Sequence, residues 1–158
     1  MSGKTKNIIA AACSIVAVCV IIFCVRDVFP VTAVPENSFV WSLPGETLTL
    51  TIASTSAEQE LGLGDRPSLS SNSGMLFVFD KPNNYGFWMK DMEFPIDIIW
   101  LDQDFKIVHI ENSLSPSTYP SVFYPGSPSK YVIEVNSGLA QQHSLYVGET
   151  LQLDRLDL

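Results

Sequence analysis

The stretch from Tyr85 to Asp102 constrains the fold more than any other part of this chain. It reads as two strands with side chains alternating between faces. In Tyr85–Lys90, Tyr85, Phe87 and Met89 share one face, and Gly86, Trp88 and Lys90 share the other. In Ile96–Leu101, Ile96, Ile98 and Trp100 oppose Asp97, Ile99 and Leu101. Strands that are apolar on both faces are covered on both faces. A carboxylate set in such a strand needs a partner or a proton. The pattern therefore predicts a sheet clothed on both sides and a partner for Asp97.

The surrounding sequence is strand-rich. Leu48–Ala53 alternates Leu48, Leu50 and Ile52 with Thr47, Thr49 and Thr51, as a half-buried strand does. A short helix is predicted over Ala57–Leu61, capped by Ser56 with Gln59 or by Thr55 with Glu58 and ended by Gly62 and Gly64. Gly74–Phe79 reads as a central strand and Asp80–Asn84 as a turn. Leu101–Phe105 makes a tight hairpin into a strand over Phe105–Glu111. Lys130–Val135 and Glu149–Leu153 are further strands, with a short helix or turn over Ser137–Ser144. Between Glu111 and Lys130, Asn112–Ser129 is an 18-residue loop with four prolines and six serines, carrying Tyr119, Phe123 and Tyr124. Loops this long in small domains are functional or disordered, and the aromatics argue for the former. The expected domain, residues 46–158, is mainly β with one or two short helices, a sandwich or partly closed barrel.

Residues 8–25 carry no charge. As a helix this run is about 27 Å long, close to the roughly 30 Å of a bilayer core. Lys4 and Lys6 precede it, while Arg26 and Asp27 cancel, which predicts an N-terminus in the cytoplasm. The expectation is a single-pass anchor over residues 1–26 and a linker over 27–45, with the C-terminal domain outside the cytoplasm. Pro30, Pro35 and Pro44 punctuate the linker, and Phe39–Trp41 offers a short edge strand. Cleavage after Val31-Thr-Ala33, or lipid attachment at Cys13 behind Ala10–Ala12, are the competing fates. All three cysteines, Cys13, Cys19 and Cys24, lie in the apolar run, so the domain beyond it has no disulfide and no thiolate metal site. From residue 27 onward six basic and 17 acidic side chains give 6 − 17 = −11. That balance argues against nucleic acid and anionic headgroups as partners.

Five segments in order carry a resemblance: Glu60–Arg66, Gly74–Phe79, Phe87–Lys90, Pro95–Ile98, and Val132–Val135 with Gly138 and Gly148. Residues 47–154 resemble the bacterial and archaeal domain of unknown function 192 family. The resemblance implies a compact, jelly-roll-like β domain, commonly exported or anchored, and no established reaction. It carries over Arg66, Trp88, Lys90, Asp97 and Glu134 as candidate site positions. Two departures stand out: Gly64 occupies a position where the family usually has Met, and Asp91-Met92 stands where it often has Asn-Thr.

Three readings of these residues compete. In the structural one, Arg66 and Lys90 form buried salt bridges with Asp97 and Glu134. In the binding one, Trp88 stacks on a small polar or saccharide ligand, or on an envelope protein. Arg66 or Lys90 contacts it, and Tyr119, Phe123 and Tyr124 form a lid. In the catalytic one, Asp97 and Glu134 are the acid and base of a hydrolase. A Ser-His-Asp triad lacks support: His109 sits in a strand, His143 near a turn, and no Gly-x-Ser-x-Gly elbow is present. No metal site or cofactor is expected, since there is no His pair at helical spacing and no phosphate-cradling loop.

Overall fold

The structure is a computed structural model, and it describes residues 38–155. The predicted anchor over residues 8–25 and the linker up to residue 37 lie outside the described residues. Among the described residues no helix is long and apolar enough to cross a membrane.

The fold is mainly β, with short helices and one open sheet. Its strands are β1 (Ser38–Leu43), β2 (Glu46–Ala53), β3 (Ser73–Asn83), β4 (Phe87–Trp88), β5 (Ile96–Leu101), β6 (Ile107–Leu114), β7 (Val122–Phe123), β8 (Ser129–Asn136) and β9 (Leu153–Arg155). Helix α1 is Ser56–Leu61 and α2 is Leu139–Gln142, with a 3₁₀ turn at Pro116–Thr118. Seven strands form one sheet in the order β6-β5-β8-β3-β2-β1-β9, and β4 pairs with β7 in a separate ribbon. Only β2 and β3 run parallel, and α1 lies on the crossover that such a pair requires. Thr55 caps α1: its side chain accepts from Glu58 N–H, while Glu58 reaches back to the Thr55 N–H.

All six side chains of β5 are buried. Ile99 and Leu101 join Trp41, Leu48, Leu50, Leu76, Ile133 and Val135 in one core. Ile96, Ile98 and Trp100 join Met75, Phe77, Phe87, Met89 and Val132 in a second. The sheet thus has a core on each face, as the double-sided pattern predicts. Gly74 lets β3 sit tightly between β2 and β8. A Cβ there would lie 2.6 Å from Leu50 Cδ2 and 2.9 Å from the Glu134 carbonyl oxygen.

Several expectations need correction. The strand offered at Phe39–Trp41 is present as β1, inside the predicted linker, but it is not an edge: β9 pairs along it, and Trp41 is fully buried on it. Tyr85–Lys90 contains only the two-residue β4. Its Phe87 and Met89 are buried, while Trp88 is exposed and Lys90 half-buried. The predicted turn at 80–84 is absorbed into an irregular end of β3. The last strand starts at Leu153, not Glu149. The segment before it meets the start of β6 instead. Thr150 bridges to Lys106, and Leu151 N–H donates to the Phe105 carbonyl. The chain then continues as β9 along β1. The sheet is open and not closed into a barrel, but this one segment meets β6 at one end of it and supplies the end strand, β9, at the other.

Candidate functional site

The strand register separates the two buried carboxylates. Asp97 is opposite Val135, and Ile98 is opposite Glu134. With side chains alternating along each strand, Asp97 and Glu134 leave opposite faces of the sheet. A shared acid–base role on one bond is therefore unavailable to them. That corrects the hydrolase reading.

The predicted salt bridges do not form either. Asp97 accepts three backbone N–H groups: Ser113 at 2.8 Å and Gly138 at 3.1 Å on Oδ1, and Ala140 at 2.9 Å on Oδ2. Gly138 has no side chain with which to cap α2. Asp97 supplies that cap from another strand. The Ser113 N–H reaches it because β6 is irregular opposite Asp97, with Ser113 at φ 53°. Lys90 lies 3.8 Å from Asp91 at the surface. Arg66 is exposed and is in no ion pair within 4 Å among the described residues.

Glu134 is in the second core and has far fewer partners. The Leu63 backbone N–H bonds to its carboxyl. Its Oε2 is buried without a hydrogen-bond partner. Gly62, at the end of α1 with φ 54°, lies directly over this carboxyl: a Cβ there would be 3.3 Å from both Oε2 and Phe77 Cζ. Burial pushes the Glu134 carboxyl up to about 8, against the Leu63 amide and the Arg66 charge, which both favour the ionised form.

Glu134 lines a pocket of about 140 Å³. Phe77, Phe79, Tyr85, Phe87 and Trp88 contribute aromatic walls, with Gln59, Glu60, Lys90 and Met92 also lining it. The walls are held from below. Phe87 meets Phe77 edge-on at 4.8 Å and Trp100 at 5.7 Å, and Tyr85 stacks on Phe79 at 3.6 Å. The buried Trp100 indole N–H donates to the Tyr85 carbonyl at 3.0 Å. Gln59 donates to the Val78 carbonyl at 2.9 Å, which docks α1 on β3. Lys90 Nζ lies 5.8 Å from the Trp88 ring centroid, a cation–π distance.

The three loop aromatics divide. Phe123 pairs with Phe87 on the inner face of the β4–β7 ribbon and packs against the second core. Tyr119 contacts the Trp88 ring at 6.0 Å, and Tyr124 packs on Gly86. Sequence reasoning did not find the pocket residues Phe79, Tyr85 and Gln59. Glu134 was a candidate, but its lack of an ion-pair partner had no signal. The departures from the family pattern also sit here. Gly64 lies against Leu61, where a Cβ would be 2.9 Å from the carbonyl oxygen, and the Asp91 carbonyl accepts from Asp65 N–H at 2.8 Å. Met92, in place of Thr, lines the pocket. The histidines lie elsewhere, His109 bonded to Glu111 and His143 to Glu46. Among the described residues no cluster of ligating side chains could hold a metal.

Two outcomes follow from these carboxylates. In Asp97→Asn, the amide nitrogen must face at least one backbone N–H. The substitution is expected to cost about 2–3 kcal/mol, read as a lower urea midpoint at unchanged m. An unchanged midpoint would exclude the clamp. Glu134 has the opposite sign. The native state keeps its proton up to about pH 8, whereas the unfolded chain loses it near 4.3. The unfolded state binds fewer protons in that window. Glu134 should therefore contribute a stability that falls as pH rises across this window and levels off above it. Glu134→Gln should remove this slope and be the more stable protein at pH 8. Identical pH profiles for the two proteins would rule it out.

No curated protein matches the chain. Three chains of solved structures do, two of them as follows. One is a candidate transcription regulator from Sinorhizobium meliloti 1021, 26% identical, with a TM-score of 0.66 over 77% of this chain and 95% of that one. The other is a protein of unknown function from Novosphingobium aromaticivorans DSM 12444, 29% identical, also at 0.66, over 73% of this chain and 83% of that one. Residues 40–153 match the DUF192 family, Uncharacterized ACR, and so span β1 to the start of β9 and every residue of the pocket. The chain belongs to the DUF192 family.

Proposed function

We propose that this domain is a non-catalytic binding module whose Glu134 pocket takes a small polar or saccharide group, and that residues 8–25 tether it to the outer side of a membrane. The observation that carries the reading is the unpartnered Glu134 Oε2 in a pocket walled by aromatic rings. A buried polar atom left without a partner costs about 1–3 kcal/mol, and a ligand hydroxyl or amide in the pocket would recover it. Aromatic walls suit the apolar faces of the same ligand. The volume, about 140 Å³, is close to that of a cavity of about 150 Å³ that holds benzene. One six-membered ring or a head group of that size fits.

Other readings have less support. Catalysis by Asp97 with Glu134 needs two carboxylates on one face, and the register does not provide them. Direct DNA contact, which the name of the Sinorhizobium relative suggests, conflicts with the charge of −11 from residue 27 onward.

The test is calorimetric titration of the full-length protein with glucose, N-acetylglucosamine, glycerol and N-acetylglycinamide. Binding of at least one is expected, weakened about tenfold or more by Trp88→Ala and by Glu134→Leu, each losing one good contact. Binding indifferent to both substitutions, or no binding by any of the four, would sink the pocket reading. The tether is checked separately. The chain should stay with the membrane fraction through an alkaline carbonate wash, and release by that wash would refute it.

A further inference from the structure

Beside the pocket lies a second surface that the core does not use. In the β4–β7 ribbon, Phe87 and Phe123 face inward, while Trp88 and Val122, also cross-strand partners, face out. Trp88 is 42% exposed, Tyr119 48%, Val122 42% and Tyr124 54%. They form one patch. Trp88 touches Tyr119, while Val122 and Tyr124 both pack on Gly86, where a Cβ would lie within 2.7 Å of each. Trp88 and Gly86 are also pocket-lining residues, so the patch continues from the pocket mouth.

The chemistry of this patch differs from the rest of the domain. Residues 112–129 contain no Asp, Glu, Lys, Arg or His, in a region whose balance is otherwise strongly acidic. What they present is aromatic rings and hydroxyls. Ser115, Ser117 and Ser121 are exposed around Tyr119. The segment is also held in shape. Ser115 caps the 3₁₀ turn, and Ser121 N–H donates to the Thr118 carbonyl at 2.9 Å. Exposed rings on a held backbone, ringed by hydroxyls in a segment with no charge of its own, match a ligand with apolar C–H faces, hydroxyl edges and no charge. An anionic lipid or nucleic acid would call for cations, and the cation nearest the patch, Lys90, is already beside Asp91.

We infer that Trp88, Tyr119, Val122 and Tyr124 form a binding ledge continuous with the pocket, and that the ligand of the combined site is an uncharged glycan chain. One sugar unit enters the pocket and the following units lie along the ledge. The inference rests on the pocket reading above and adds to it a second subsite and a ligand class.

The protein carries its own reporter for the test. Of three tryptophans, Trp41 and Trp100 are 1% and 0% exposed, so acrylamide quenching reads Trp88. The experiment uses the full chain in a zwitterionic detergent without a sugar headgroup, titrated with cello-, malto- and chito-oligosaccharides of increasing length. In at least one series Trp88 should become protected, with Kd falling about tenfold or more between one unit and about four, as one added good contact would give. That Kd should be unchanged between about 50 mM and about 500 mM salt, since no ion pair is involved. The double variant Tyr119→Ala with Tyr124→Ala should bind a single unit normally and gain nothing from length. Single-unit binding that depends on Glu134 but never improves with length would overturn the ledge while leaving the pocket reading intact. Absence of binding across all three series overturns the glycan class, and the amide and polyol titrations then decide the pocket separately. Protection of Trp88 that grows with protein concentration alone would assign the ledge to a second copy of the chain and also overturn the inference.

Discussion

A strand with no exposed side chain is the constraint from which the rest of this structure follows. Because β5 is buried along its whole length, the sheet must be covered on both faces, and any carboxylate near its centre is sunk in a core. Two are, and their fates differ through the supply of backbone donors. On one face, the irregularity in β6 and the first turn of α2 bring three N–H groups to Asp97. On the other, the end of α1 brings one, from Leu63, to Glu134. Equal burial therefore yields a joint in one case and an open valence in the other.

That contrast explains how the pocket is assembled. Its floor comes from β8, its cover from Gly62 and Leu63 after α1, and its walls from β3, the Tyr85 turn and β4. None of these pieces is long, and each is fixed by a contact beneath it: Gln59 on the Val78 carbonyl, Trp100 on the Tyr85 carbonyl, Phe87 between Phe77 and Trp100. Arg66 and Lys90 stand at the outside of this arrangement and not within it. Their influence on the site is through charge at a distance, which for Arg66 reaches the Glu134 carboxyl.

Much of the fold was legible in the residues because the signals were local. The two-sided apolar pattern of Ile96–Leu101, the Thr55–Glu58 capping box and the turn at Asp102 each depend on neighbours a few positions apart. What could not be read depends on distant pairing. Whether Asp97 and Glu134 share a face is decided by the register of β5 on β8. The partners of Asp97 are main-chain amides, which every residue type carries and which leave no mark in composition. In the loop over 112–129 there is no repeat to tell inward from outward. Phe123 joins the core while Tyr119 and Tyr124 stay outside, because only the pairing of β7 with β4 sets that choice. The extent of Tyr85–Lys90 failed for the same reason: its alternation is regular, but it has just two residues of partner strand.

The C-terminal segment has a further consequence. An open sheet presents rows of unpaired amides along its outer strands, and such rows are templates for adding foreign strands. Here one stretch of chain meets the start of β6 through Thr150 and Leu151 and then runs as β9 along β1. The rest of β6 is guarded differently, by the irregularity near Ser113 and by the paired side chains of His109 and Glu111. Resistance to polymerising with its own copies is thus concentrated in a few residues near the end of the chain. A break before Leu151 would bare the β1 rim and take Leu151 out of the first core, while Glu149 and Thr150 still held the start of β6; the uncovered row of amides on β1 would then be the template for adding copies.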